Sequence, residues 1–397
     1  MLGRDKYWVN PDFLNSDHGD LGCTYCHKGN NVDDFEKAHQ GIVEDPSEKK
    51  DGVCSECHEE ITETFYKSMH FTIRGIKNVM QAYISPQPLE KSPLETAFKI
   101  DCNNCHASCG SCHVSRPKAT KGGLMGAHRF FKEPPMAKAC YGCHGARTGG
   151  EFTGRIGPCS TGDEVIPDIG PTADVHFSKY QMICSDCHAG EKLHSALGTP
   201  KKTRYFNIPH VQCEDCHKKV KNGEDGVAMH KAHPPNTLAC QTCHSSGGYH
   251  NCFNCHVFLG NKGKEPIPIS DSKILFKIGL NPDPGPYNKY KYVLLRHSPV
   301  TFNSFSVLGI NFKPNFNRIT TWGPMPVHNI QKNTPQNAGC NSCHGHPELF
   351  INEKDLQNAS GADRVLIPKV PPAVENKETH AQKNTVLDSC NSENSTK

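Results

Sequence analysis

One five-residue pattern, Cys-x-x-Cys-His, occurs ten times in this chain of 397 residues and takes up all but two of its 22 cysteines. The copies are Cys23/Cys26/His27, Cys54/Cys57/His58, Cys102/Cys105/His106, Cys109/Cys112/His113 and Cys140/Cys143/His144. They continue with Cys184/Cys187/His188, Cys213/Cys216/His217, Cys240/Cys243/His244, Cys252/Cys255/His256 and Cys340/Cys343/His344. Only Cys159 and Cys390 are left over. They are either a disulfide, if the compartment is oxidising, or two unrelated thiols.

The spacing points to covalent haem attachment. Two thiols add to the vinyl groups on one edge of a porphyrin, and two intervening residues set the span between the sulfurs. The next residue turns its imidazole under the ring onto iron. Zinc sites also use Cys-x-x-Cys pairs, but they do not need a histidine after every second cysteine. The run Cys102, Cys105, Cys109, Cys112 resembles iron–sulfur spacing, yet His106 and His113 stand in the haem position. A disulfide framework would leave ten histidines unexplained. The expectation is therefore ten covalent haem c groups.

The composition agrees. Only 35% of residues are hydrophobic, and there are 34 Gly and 29 Pro. A chain this long normally closes around a large apolar core, and this one is short of the side chains for it. The expected fold class is a haem-cored multihaem cytochrome. It would have little regular secondary structure, short α-helices and loops, and a small β element within residues 260–330. Lys273–Leu280 and Tyr290–Leu295 read as its strands. The formal charge is +3. Haem propionates are negative, so that excess reads as compensation for them, not as a nucleic-acid surface.

Ten of the 24 histidines serve as proximal ligands, which leaves fourteen for the opposite face of each iron. Expected distal ligands are His18, His39, His70, His128, His176, His194, His230, His233, His297 and His328. His210 and His250 sit close to another attachment point and rank lower. His346 and His380 read as non-ligands. His27 to His39 and His58 to His70 are both steps of twelve residues, which looks like an internal repeat. Glu59–Phe71 reads as one helix with Ile61, Phe65 and Met69 along a stripe. Twelve helical residues span roughly 18 Å, too far for two ligands of one iron, so His58 and His70 should serve different haems. With two histidines per iron there is no vacant position for substrate, and no catalytic residue is expected.

Four segments follow. Residues 1–256 carry nine motifs. Residues 257–339 are a haem-free insert or wrapping segment. Residues 340–370 hold the tenth motif, and 371–397 form a polar tail. No stretch is apolar enough to cross a membrane. Met1–Asn10 lacks the apolar core of a signal peptide. Haem is attached to this motif outside the cytoplasm, so a periplasmic, cell-surface or extracellular location is expected.

The motifs, with the segments CGSCHVSRPKATKGGLMGAHRF (109–130) and WGPMPVHNIQKNTPQNAGCNSCHGH (322–346), resemble the multihaem c-type cytochromes of bacteria and archaea. These serve respiratory and extracellular electron transfer, and some polymerise into filaments. The resemblance implies that His128 and His328 are distal ligands. It also implies an electron conduit that meets redox partner proteins or extracellular acceptors, as one molecule or as a homopolymer. The isolated tenth motif departs from that group, so the spatial order of haems cannot be carried over. The competing class is a multihaem reductase or oxidase acting on nitrite, hydroxylamine or a sulfur oxyanion. It would need one open iron.

Overall fold

The computed structural model describes residues 9–50, 52–100, 102–155, 159–161, 164–166, 171–195, 209–245, 247–250, 273–297, 315, 321–356 and 361–374. The ninth motif (Cys252, Cys255, His256), His380 and Cys390 lie outside that set, as does any pairing of Cys159 with Cys390.

Each described motif is wound into about one helical turn. Cys23–His27, Cys109–His113 and Cys140–His144 are α-helical, while Cys102–Cys105 and Cys340–Ser342 are 3₁₀ turns. A turn puts residues i, i+3 and i+4 on one face, so both thiols and the imidazole point the same way. The same bond closes several of these turns. The motif histidine N–H donates to the first cysteine carbonyl at His58 (3.0 Å), His188 (2.8 Å), His217 (2.9 Å), His244 (3.0 Å) and His344 (2.9 Å). Carboxylates lock two turns from the front: Asp186 accepts from the Ile183 N–H at 2.7 Å and Asp215 from the Gln212 N–H at 2.9 Å.

Between the second and third motifs lies a helical cluster that sequence patterning did not single out. Helices Arg74–Ile84 and Leu94–Ile100 pack Ile73, Met80, Tyr83, Ile84, Leu89, Leu94, Ala97 and Phe98 together. The helix expected over 59–71 is two helices, Glu59–Phe65 and Met69–Thr72. Ser68 breaks it by capping the second, its hydroxyl accepting from the Phe71 N–H at 3.2 Å. Near His39 the helix is shorter still, Phe35–Ala38, and Gly41 follows in the left-handed region at φ 79°.

The β element forms where it was expected. Strands β1 (Cys159–Thr161) and β2 (Glu164–Ile166) make one hairpin, and β3 (Tyr249–His250) pairs with β4 (Lys273–Ile274). The main sheet is antiparallel, in the order β5 (Phe276–Leu280), β6 (Tyr292–His297), β7 (Trp322–Pro324). Alternation along β6 feeds two cores. Val293 and Leu295 join Trp322, Ile351, Leu356 and Leu366 on one face. Leu294 joins Ile278, Val327 and Phe350 on the other. The tenth motif docks here: Ile351 N–H donates to Ile278 O at 3.0 Å, and Cys343 packs against the second core.

Arg296, also on β6, is buried against Glu151, with Nη2 2.5 Å from Oε1 and exposures of 1% and 0%. Tyr249 donates to the same carboxylate, and so does the His328 N–H, at 2.9 Å. Removing one partner from such a pair leaves a buried charge that costs far more than the pair contributes. All three apolar clusters flank the motif array and none fills it. Among the described residues, no helix is long and apolar enough to cross a membrane.

Candidate functional site

The space left by these cores is one continuous cavity of about 4590 Å³. Ordinary small-molecule sites occupy about 300–1,000 Å³, so this volume suits several large groups. Residues of all nine described motifs line it.

Across it the histidines stand in twos. His27 faces His128 with ring centres 5.9 Å apart, and His58 faces His18 at 6.1 Å. His113 faces His194 at 6.0 Å, and His144 faces His70 at 6.3 Å. His188 faces His328 at 6.2 Å, and His217 faces His176 at 6.1 Å. His244 faces His230 and His344 faces His233, both at 6.0 Å. Rings in direct contact sit closer, as His18 on Phe130 does at 4.1 Å. Two imidazoles bound to one metal at about 2 Å each, with ring centres about 1 Å behind the nitrogens, would be about 6 Å apart. Every pair thus has one motif histidine, one non-motif histidine, and room for one metal between them. No group of three or more His, Cys, Asp or Glu side chains able to hold one ion occurs among the described residues.

Hydrogen bonds set which ring nitrogen is available. Nδ1 of His27 donates to Val43 O (2.8 Å), that of His113 to Phe131 O (2.6 Å) and that of His106 to Phe71 O (2.6 Å). His244 donates to Gln331 O (3.0 Å) and His344 to Pro372 O (3.1 Å). A carbonyl only accepts, so Nδ1 carries the proton and Nε2 keeps its lone pair for a metal. Burial acts in the same direction, pushing His70 and His328 down to about 4 and holding them neutral.

Three segments each serve two sites. His70 faces His144 while the next carbonyl, Phe71 O, holds His106. His128 faces His27 while Phe131 O holds His113. His328 faces His188 while Gln331 O holds His244. At His128 the backbone is strained to do this: Ala127 and His128 both lie in the left-handed region, at φ 50° and 68°.

The thiols give the order in space. Cys54 touches Cys109, Cys105 touches Cys143, Cys140 touches Cys184, and Cys213 touches Cys240. Each contact pulls one thiol, Cys54, Cys105, Cys140 or Cys240, down to about 7. Cys26 lies within electrostatic reach of Cys54, Cys112 of Cys140, Cys187 of Cys216, and Cys243 of Cys343. Among the nine described motifs, the order is therefore first, second, fourth, fifth, sixth, seventh, eighth and tenth. The third sits to the side, against the fifth.

Eight of the ten expected distal histidines thus face a motif histidine. Two do not, among the described residues. His39 is held by its own helix, with Nδ1 bonded to Phe35 O at 2.8 Å and its ring on Phe35 at 4.2 Å. His297 stacks on Trp322 at 4.7 Å at the end of β6. Neither lines the cavity. His58 and His70 serve different pairs. His346 is exposed and bonded to Glu348, and His210 sits beside Gln212. The third motif's His106 faces no histidine among the described residues, and its ring lies 4.7 Å from Phe71.

The sequence reading missed the partners on the outer side of the rings, chiefly Asp174 and Asp225. A histidine two residues after an Asp, as at Asp174–His176, was the available signal. No family model matches the chain, and no curated protein or solved structure does either.

Proposed function

We propose that the chain holds ten covalent c-type haems with two imidazoles on each iron, and that it conducts electrons along them. Each haem would supply one reversible one-electron couple. The thioether cysteines would be the twenty motif cysteines, with the motif histidines proximal. The eight facing histidines would be distal at eight of the ten sites, and the third and ninth motifs would take their second ligands from outside these pairs. The observation that carries the reading is the set of eight His–His pairs at 5.9–6.3 Å along one cavity.

The protein's part is positional. It fixes His27, His106, His113, His244 and His344 by their Nδ1 bonds to carbonyls, keeps bulk water from the buried pairs and brings neighbouring attachment points together. A line of sites whose thiols alternately touch and lie within electrostatic reach suits a conduit running from the first motif to the tenth. The haems would then complete the core that side chains leave open. Attachment of haem to this motif implies an extracytoplasmic location, with redox proteins or extracellular acceptors as partners. Assembly into a cytochrome filament is the extended form of this proposal and rests on the family resemblance.

The second reading, a reductase or oxidase with one open iron, is favoured by a single observation: the solitary placement of His106. A reductive titration separates the two. A conduit takes up ten electrons per chain reversibly and is unchanged by nitrite, hydroxylamine or sulfite. Reoxidation by one of these would establish the enzyme instead.

A further inference from the structure

If paired imidazoles are the common device, sites differ by what stands behind each ring. Backbone carbonyls, which are neutral, back His27, His113, His244 and His344. The Nδ1 atoms of His128 and His328 are buried with no hydrogen-bond partner among the described residues. His176 is different. Its Nδ1 donates to Oδ1 of Asp174 at 2.8 Å, and the Asp174 side chain is only 4% exposed.

That carboxylate is held by protein from two directions. Oδ1 also accepts from the His176 backbone N–H at 2.9 Å, and Oδ2 accepts from the Ile330 N–H at 2.8 Å. The Asp174 N–H donates to Phe152 O at 3.0 Å. Val175 N–H donates to Ile330 O at 2.8 Å, and Gln331 Nε2 to Ala173 O at 2.6 Å. The nearby Glu151 has its own cation, Arg296, so Asp174 is left to act on His176. In the one comparable pair among the described facing histidines, Asp225 with His230, the carboxylate is more open, 12% exposed against 4% for Asp174, so solvent weakens it more.

We propose that Asp174 is a positioning residue that makes the seventh site, between His176 and His217, the lowest in reduction potential of the array. The proposal rests on the haem reading above. A carboxylate drawing on the Nδ1 proton raises electron density at Nε2 and strengthens its donation to metal. The oxidised metal, with one more positive charge, gains more from that than the reduced metal does. Burial keeps water from screening the effect. The seventh site then stands as a step inside the line of sites, one position from the eighth, where the chain crosses to the segment carrying the tenth.

The test is a spectroelectrochemical titration of the intact protein, with haem counted independently by pyridine haemochrome. In Asp174→Asn, one component should move up and it should be the lowest. Its oxidised-to-reduced ratio at fixed potential should fall about tenfold, which is 59 mV for a one-electron couple. A titration in which no component moves, or in which all move together, overturns the proposal. If Asp174→Asn does not accumulate, His176→Met decides. A thioether ligand raises the potential of whichever site it joins, so the component that moves must be the lowest one in the unsubstituted protein. Movement of any other component overturns the assignment. A haem count far below ten in the unsubstituted protein would sink the haem reading itself, which is a separate result.

Discussion

The rings of His188 and His328 lie 6.2 Å apart, although one belongs to the sixth motif and the other to the haem-free stretch after β7. Three residues beyond His328, the Gln331 carbonyl holds His244 of the eighth motif. Between them, Ile330 N–H holds Asp174, which holds His176 opposite the seventh. One short segment therefore touches three consecutive sites. The stretch without motifs is bound into the array through them.

His328→Ala should remove one iron ligand without removing a haem, because the thioethers of the sixth motif are untouched. The expected result is an unchanged haem count with one ferric site turned from low to high spin, read by electron paramagnetic resonance (EPR) and by absorbance near the charge-transfer region. His39→Ala should leave the spin states of the isolated chain alone, since among the described residues His39 faces Phe35 and no motif histidine.

Arg296→Met should destabilise the chain by about 3–5 kcal/mol, because Glu151 would stay charged and buried without its cation. Urea denaturation followed by tryptophan fluorescence reads this, since Trp322 sits in the core beside β6. A loss below about 1 kcal/mol would mean that water reaches the pair.

Stripped of haem, the chain should lose stability in acid within a defined window, because the rings at the fifth and sixth sites then titrate as free imidazoles. Burial lowers His70 and His328 from 6.5 to about 4 in the fold. Between those values the unfolded chain binds more protons, so stability rises with pH and is lost as pH falls from about 6.5 toward 4. From pH 7 to pH 5 the loss is about 2 kcal/mol per ring. The check is the urea midpoint at the two pH values, in the haem-free chain and in its His70→Met variant, where the dependence should be smaller.

Much of this was legible in the chain itself, and the rest was not, for physical reasons. The ten motifs are a local Cys-x-x-Cys-His pattern, so spacing alone locates them. The supply of histidines able to face the motifs followed from counting, and two of the three strands of the main sheet from β-branched and apolar runs; the third, Trp322–Pro324, was not read. Pairing was not legible, because which histidine meets which motif depends on the return of distant segments. His70 reaches the fifth motif and not the second, and His233 reaches the tenth across the insert. His39 and His297 have the right residue type in the right neighbourhood. The first turns onto its own helix and the second onto Trp322. The break at Ser68 came from a cap competing with a hydrophobic stripe. The displacement of the third motif from the line could not be read from a two-residue link, which constrains distance but not direction.

Substituting both cysteines of the tenth motif, Cys340→Ala with Cys343→Ala, should cut the haem count by one and free His233. Cys343 neighbours Cys243 of the eighth motif, so the loss falls at the end of the line and leaves the other sites in contact. Intact-mass measurement should show the mass of one haem missing. Loss of several haems would mean that the segment is needed for assembly of the whole array.

The most direct test of paired-histidine ligation along a ten-site conduit is EPR of the fully oxidised protein, quantified against the haem-to-protein ratio. Ten haems per chain with low-spin ferric signals alone is the predicted result. A stoichiometric high-spin ferric signal, or a chain that binds zinc in place of haem, would contradict it.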